Sequence, residues 1–303
     1  MSPGRNFTLA FKCSDKKLSV SLSCASLPKE NVIDYAGRTE TVSKKIYAPL
    51  RERYIFWHSD IVILSFPKSG RTWLRVLMGK ALQGHLKCTN DLLQTLEAMA
   101  TASYPSIPNF LVDHGAATTQ ARWDSFDVSK VKYKDKKIIL LARDPKDVVV
   151  SAYFHKSKRK KMAFNASFSD FLRDDVGSLK TYLAFLNSWA NTKEVSDCLI
   201  IRYEEMHRDP VAVLRSIFDF AGVKNISKEN ITAAIEFGRF DNMRELEKSD
   251  TLGSDRLRPI DPNDESSYKT RKGEVGGFVE HFSEDDLAYA NSLIKELNPI
   301  FGY

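Results

Sequence analysis

Cysteine is scarce in this chain, and what there is of it is scattered. Cys13, Cys24, Cys88 and Cys198 are the four cysteines of 303 residues, and no two of them form a C-x-x-C pair. They read as reduced thiols of a cytosol-like compartment, not as a disulfide framework or a zinc ribbon. The six histidines include no H-E-x-x-H, so no metal is expected. No apolar run approaches the roughly 20 residues that span a bilayer, which excludes a membrane-spanning helix within the sequence and leaves no membrane partner in view. There is no internal repeat. The nucleotide-triphosphate loop G-x-x-x-x-G-K-[ST] is missing as well.

Hydrophobic residues make up 43% and charged residues 28%, enough for a sizeable core and against wholesale disorder. The net charge of +6 suits an anionic ligand, whether nucleotide, nucleic acid or membrane surface, without choosing among them. Asn-x-Ser/Thr sequons begin at Asn6, Asn165, Asn225 and Asn230; without a secretory signal they read as chance. Residues 1–28 hold many serines, several Lys/Arg and one acid, Asp15. That is the composition of an organelle transit peptide, but the plainer reading is an N-terminal extension, frayed or paired as strands. Residues 29–303 are expected to form one domain in a cytoplasmic protein.

Residues 60–82 organise that domain. Ile61 to Phe66 is a short apolar, β-branched run stopped by Pro67, the pattern of a buried strand. From Thr72 the period changes, and Trp73, Val76, Leu77 and Leu82 fall near one helical face. Between them lies Pro67-Lys68-Ser69-Gly70-Arg71. Strand, glycine turn and helix start make an anion site, because first-turn N–H groups and the helix dipole both favour negative charge. Lys68 and Arg71 add cations there, and Ser69 and Thr72 add hydroxyls. A second helix is expected over Asp91 to Thr101. Phe110-Leu-Val then leads into Asp113-His114-Gly115, a histidine at a strand end, where parallel α/β sheets place reactive groups.

Lys137 to Ala142 is a second buried strand, and Pro145 suits the first turn of the helix after it. Arg143 ends the strand and Ser151 lies in the helix. Residues 156–161 read as a solvated basic loop. Helices follow over Asp170 to Asp175 and Ser178 to Lys193, then a third parallel-type strand, Cys198 to Ile201, and a helix from Pro210 to Ala221 stopped by Gly222. Ser227 and Ser283 are N-cap candidates. Residues 247–268 read as a long loop, and the last helix should turn Leu287, Leu293 and Ile294 inward. Strands alternating with helices predict a single α/β domain with a central parallel sheet flanked by helices and a P-loop-like anion loop.

Several of these segments resemble those of the sulfotransferases that use 3′-phosphoadenosine 5′-phosphosulfate (PAPS). Pro67-Lys68-Ser69-Gly70-x-Thr72-Trp73-Leu74 resembles the family's 5′-phosphosulfate loop. Arg143-Asp-Pro-Lys-Asp-Val-Val-Val-Ser151 resembles its 3′-phosphate segment, in which the arginine and the serine eight residues on hold that phosphate. Tyr203-Glu204-Glu205-Met206 resembles the family's Tyr-Glu-x-Met, whose tyrosine lies near the adenine. Phe240-x-x-Met243 resembles the residues packed round the adenine. Arg271-Lys272-Gly273 resembles the second 3′-phosphate clamp. The likeness runs from about residue 60 to 282, and its wording is nearest the bacterial or natural-product branch.

The resemblance implies in-line transfer of a sulfuryl group from PAPS to a hydroxyl or amine of a small-molecule acceptor. His114 would be the base and Lys68 the cation at the leaving oxygen. Lys68, Ser69, Gly70, Arg71, Thr72, Trp73, Arg143, Ser151, Tyr203, Phe240, Met243, Arg271, Lys272 and Gly273 would hold the cofactor. There are departures. Animal members read Lys-Thr-His at the base, where this chain has Val112-Asp113-His114, so Asp113 either braces the histidine or binds a cationic acceptor. Gly238 and Arg239 replace a threonine and a serine of the adenine segment. The family dimer motif, which would fall at Val279 to Ala288, is missing, leaving a monomer or an undetermined oligomer. Two other functions share parts of the pattern: a P-loop kinase of a small metabolite, and a non-catalytic binder of nucleotide or nucleic acid. No nucleic-acid partner is expected.

Overall fold

The computed structural model describes residues 52–88, 107–115, 117–126, 129–159, 165–190, 195, 197–251, 257–258, 261, 263–264 and 267–303, and the backbone alone of strands over 7–13, 16–22, 31–33 and 39–41. The early strands form two antiparallel pairs: β1 (Phe7–Cys13) with β2 (Lys16–Leu22), and β3 (Asn31–Ile33) with β4 (Thr39–Thr41). The helix expected over residues 91–101 lies outside the described residues.

The domain is built on a parallel sheet of β5 (Ile61–Ser65), β6 (Phe110–Asp113), β7 (Lys137–Ala142) and β8 (Cys198–Arg202) in the order β6-β5-β7-β8. Strand β5 is buried throughout. Its alternate residues feed two cores, because side chains on a strand point to opposite faces in turn. Ile61 and Ile63 pack with α1 (Arg71–Leu86), α6 (Pro210–Ala221) and α7 (Lys228–Phe237) through Leu77, Leu214, Phe218 and Ile231. Val62 and Leu64 pack on the other side with α2 (Pro145–Phe154), α4 (Leu179–Ala190) and α9 (Glu284–Ile294) through Val148, Tyr182, Leu186 and Ala290. A sheet covered on both faces is the arrangement that nearly continuous apolar strands require.

The register brings the carboxyl ends of the strands together. Leu64 pairs with Asp113, Ser65 with Leu141, and Ala142 with Arg202. Chain order reverses across β5, with β6 on one side and β7 on the other. Ligands of open α/β sheets bind outside the strand ends at such a switch point.

Several expected boundaries move. Helix α1 runs to Leu86, where Lys87 takes the left-handed conformation. Gly84 is a packing residue: a Cβ there would come within 2.3 Å of Asn230 Oδ1 on α7. The expected loop at 247 begins later, since α8 (Phe240–Lys248) includes Glu247 and Lys248. Residues His155–Arg159 form a π-helical turn instead of a solvated loop. Lys156 pairs with Asp174 at 3.8 Å and lies over the Phe171 ring. Leu287 is 37% exposed rather than inward, whereas Leu293 and Ile294 do pack against the core. Helices α3 (Phe168–Arg173) and α5 (Tyr203–Arg208) are short.

Candidate active site

Each sheet strand hands one functional group to the same edge. After β5 comes the anion loop, after β6 His114, after β7 Arg143 and after β8 Tyr203. These groups line one cavity of about 560 Å³ together with residues of α1, α2, α8 and the 269–277 segment. Of the residues expected from sequence, Lys68, Gly70, Arg71, Thr72, Trp73, His114, Arg143, Ser151, Tyr203, Phe240, Met243, Arg271, Lys272 and Gly273 all line it. Ser69 does not. It is fully buried, and its N–H turns back toward the Phe66 carbonyl at 3.4 Å, closing the loop rather than facing a ligand.

The loop is bent by two residues of positive φ, Lys68 at 79° and Gly70 at 96°. A lysine held there costs of order 1–3 kcal/mol, a strain that clusters at ligand sites. Gly70 has a second reason to be glycine: a Cβ would stand 2.3 Å from Tyr203 Cδ2. Gly70 is also the N-cap of α1 and supplies no side-chain cap, and the first turn holds no acid. The positive end of the helix dipole is therefore left to whatever enters the cavity.

At the other end, two guanidinium groups converge. Tyr182, fully buried, fixes the Arg143 backbone; its hydroxyl accepts the Arg143 N–H and donates to the Arg143 carbonyl, each at 2.9 Å. The Arg143 guanidinium stacks on the Tyr203 ring, 4.2 Å from its centroid. Its Nη2 pairs with Asp147 at 3.3 Å and donates to the Glu274 carbonyl at 3.0 Å. Its Nε is buried and has no partner among the described residues. Arg271 sits over the Phe154 ring at 4.3 Å. Burial, then the charge of Arg143, push the Arg271 guanidinium below its ordinary value. Two half-buried cations facing one another, with an orphaned donor, fit a phosphate-sized anion. Lys272, by contrast, is tied to Glu280.

Between these ends lie aromatic and apolar walls. Trp73 donates from Nε1 to the Gly238 carbonyl at 2.7 Å and meets Tyr203 edge-on at 5.7 Å. A Cβ at 238, which the family's threonine carries, would come 2.5 Å from Leu77 Cδ2, so that side chain would have to shift. Phe240 covers Gly273, whose own Cβ would clash with that ring at 2.3 Å.

His114 is braced at the end of β6. Nδ1 donates to the Ser65 carbonyl at 3.4 Å, and the His114 N–H donates to Asp113 Oδ1 at 2.6 Å. Tyr133 donates its hydroxyl to the other Asp113 oxygen at 3.3 Å. Asp113 thus accepts from the His114 backbone and from Tyr133, contacts that brace the strand end carrying His114. Arg71 donates to His114 Nε2 and, at 2.9 Å, to the Asp113 carbonyl. Burial first, and then the Arg71 charge, lower the imidazole to about 4. It is neutral at neutral pH.

Sequence reading missed two carboxylates that hold the late segment in place. Asp147, 3% exposed, accepts N–H groups from Gly276 at 2.9 Å and Phe278 at 3.1 Å while it pairs with Arg143. Its place in the first turn of the expected helix, four residues after the strand-end Arg143, could have flagged it. Glu247, fully buried, accepts the N–H groups of Lys269 at 2.7 Å and Thr270 at 2.9 Å, and the Thr270 hydroxyl at 2.7 Å. Nothing in the sequence marked it, since it fell inside an expected loop.

The family model described as a sulfotransferase domain matches residues 58–298. Sulfotransferase 2A1 of Homo sapiens is 25% identical over 272 residues, covering 86% of this chain and 89% of its own. Sulfotransferase 2A6 of Mus musculus is 24% identical, covering 80% of this chain and 85% of its own. These two relatives are mammalian, not bacterial. Among solved structures, mouse sulfotransferase SULT7A1 complexed with PAP superposes with a TM-score of 0.55 at 23% identity, over 79% of this chain and 84% of that one. Retinol dehydratase in complex with androsterone and inactive cofactor PAP gives 0.54 at 18%, over 95% and 89%. Both agree with the fold. Neither a metabolite kinase nor a plain nucleotide binder is favoured by these likenesses. Among the described residues no helix is long and apolar enough to cross a membrane. The chain belongs to the sulfotransferase domain family.

Proposed function

We propose that this sulfotransferase moves the sulfuryl group of PAPS to a hydroxyl or amine of a small-molecule acceptor, with His114 as base. The observation that carries this is one cavity bounded by an anion loop at one end, a two-arginine cluster at the other and His114 on its wall. Bound PAPS would supply an activated sulfur and, after transfer, leave as adenosine 3′,5′-bisphosphate (PAP). The 5′-phosphosulfate would lie against the N–H groups of Gly70 to Trp73, beside Lys68. Arg143, Ser151 and Arg271 would take the 3′-phosphate. Trp73, Tyr203, Phe240 and Met243 would bound the adenine.

His114 holds the right tautomer for a base, since its Nδ1 hydrogen is engaged by the Ser65 carbonyl and Nε2 keeps the lone pair. It takes the acceptor proton as the acceptor oxygen or nitrogen bonds to sulfur. Transfer would break the bond from sulfur to the bridging oxygen of the phosphosulfate and leave the electron pair on that oxygen. Lys68 neutralises the charge left there, a fixed cation in a partly dehydrated site. The cytoplasm is the compartment this reading favours.

Thermal shift with PAP, compared with ATP plus Mg²⁺, tests the binding half, because a ligand of the folded state raises Tm. Stabilisation by PAP alone is expected; stabilisation by ATP–Mg²⁺ alone sinks the reading in favour of a kinase. His114→Ala should keep PAP binding and lose about 10²–10⁴-fold in turnover with PAPS and a phenolic or alcoholic acceptor panel.

A further inference from the structure

Arg71 is the first residue of α1, directly after the loop's left-handed glycine. Its guanidinium does not simply add charge to the loop. One nitrogen donates to the Asp113 carbonyl at 2.9 Å and another to His114 Nε2. The second contact matters, because His114 Nδ1 already faces the Ser65 carbonyl. Nε2 is therefore the only ring atom that could accept a proton from a substrate. A guanidinium has five donors and no acceptor, so while Arg71 is in place that lone pair is filled by a group that cannot pass a proton on.

Arg71 and Lys68 line the same cavity. Hydrogen bonds to an ionised acceptor are roughly twice as strong as neutral ones. An anion entering the loop therefore competes with the imidazole for the guanidinium on favourable terms. We propose that Arg71 is a latch on the base: it occupies Nε2 of His114 in the free protein and swings to the anionic 5′-group of the bound nucleotide, freeing Nε2 for the acceptor. The lowered proton affinity of His114, caused by burial and next by Arg71, agrees with this contact. The consequence is an ordered reaction, nucleotide before acceptor, with the base exposed only in a loaded site. The inference rests on the sulfotransferase reading given above.

Diethyl pyrocarbonate acylates neutral imidazole at a free ring nitrogen, so its rate at His114 reads whether Nε2 is open. The rate is followed at about pH 7 by peptide mass mapping, in wild type and Arg71→Met, with and without PAP. PAP binding is measured by calorimetry on the same samples. Ligands normally shield an active-site histidine; the latch gives the opposite sign. In wild type, PAP should speed modification of His114 at least about fivefold. Arg71→Met, which cannot donate, should react at the fast rate without ligand and gain nothing from PAP. If PAP binds but leaves the wild-type rate unchanged or slows it, the latch is wrong and the sulfotransferase reading stands. If PAP does not bind, both fall. Should Arg71→Met fail to fold, the two wild-type arms still decide.

Discussion

The two ends of the cavity are built in different ways. The anion loop is an extension of regular structure: β5 is buried on every residue, its register is pinned on both sides, and α1 starts at once from Gly70. The arginine end is assembled from segments distant in sequence. Arg271 and its neighbours belong to no long element, and they are fixed by Asp147 on α2, Glu247 on α8 and the Arg143–Glu274 contact. A loop fixed by the sheet fails only if its own backbone is disturbed. A loop fixed by two buried carboxylates fails when either is removed, with the sheet untouched. The nucleotide's two phosphates can separate these cases, since adenosine 5′-phosphosulfate lacks the 3′-phosphate that PAP carries.

Asp147→Ala should give the largest effect. It leaves Arg143, whose side chain is 13% exposed, without its carboxylate, and strips two N–H groups of their acceptor. Breaking a buried pair from one side costs about 3–5 kcal/mol. Chemical denaturation should show that loss, and PAP affinity should fall by about 100-fold or more. Binding of adenosine 5′-phosphosulfate should stay within about threefold of wild type. If the two ligands weaken equally, the ends are not independent.

Gly70→Ala attacks the other end. Its φ of 96° and the Tyr203 ring 2.3 Å from the new Cβ together predict about 2–3 kcal/mol of destabilisation. Here both nucleotides should lose affinity. In a Tyr203→Ala background, Gly70→Ala should cost less Tm than it does in wild type, because the clash is gone, while binding stays weak. An equal cost in both backgrounds would mean that backbone strain alone decides the position.

Glu247→Gln keeps the shape but sets an amide N–H₂ against groups that are themselves donors, at a cost of about 2 kcal/mol. Its expected signature in turnover is a raised KM for PAPS with kcat nearly unchanged, because Glu247 orders the segment that carries Arg271 and touches no reacting atom. A fall in kcat at fixed KM would place Glu247 closer to the chemistry than its contacts with Lys269 and Thr270 imply.

The sequence disclosed the sheet-built end far better than the assembled one, for a physical reason. A buried strand, a turn with Gly70 and a helix write themselves as a change of hydrophobic period within 23 residues, so β5, the loop and α1 could all be read locally. The strands of β7 and β8 and the helix from Pro210 to Ala221 were equally legible. Asp147 was visible as a letter of a motif, but its task, holding Gly276 and Phe278, depends on a contact across about 130 positions that no local pattern encodes. Glu247 left no trace, since its helix ends where polar residues suggested a loop had begun. Arg71 was expected as a loop cation; its hold on His114 depends on the pairing of β5 with β6, and so on tertiary register.

The histidine gives the smallest and most specific test of the sheet-built end. Its proton affinity is lowered in the folded protein to about 4, by burial and then by Arg71, whereas an unfolded histidine titrates near 6.5. Between those values the unfolded chain binds the proton and the folded one does not. Stability from this group is therefore intact above about pH 6.5 and is lost as pH falls toward 4. From about pH 7.5 to 5.5 the loss should be about 1 kcal/mol. Wild type and His114→Asn, compared by denaturation across that window, should diverge by this amount, wild type falling further. Arg71→Met should fall less than wild type, because the cation that opposes protonation is gone while burial persists. Parallel curves for all three would show that the imidazole is no harder to protonate in the fold than out of it, and would sever His114 from the guanidinium that holds it.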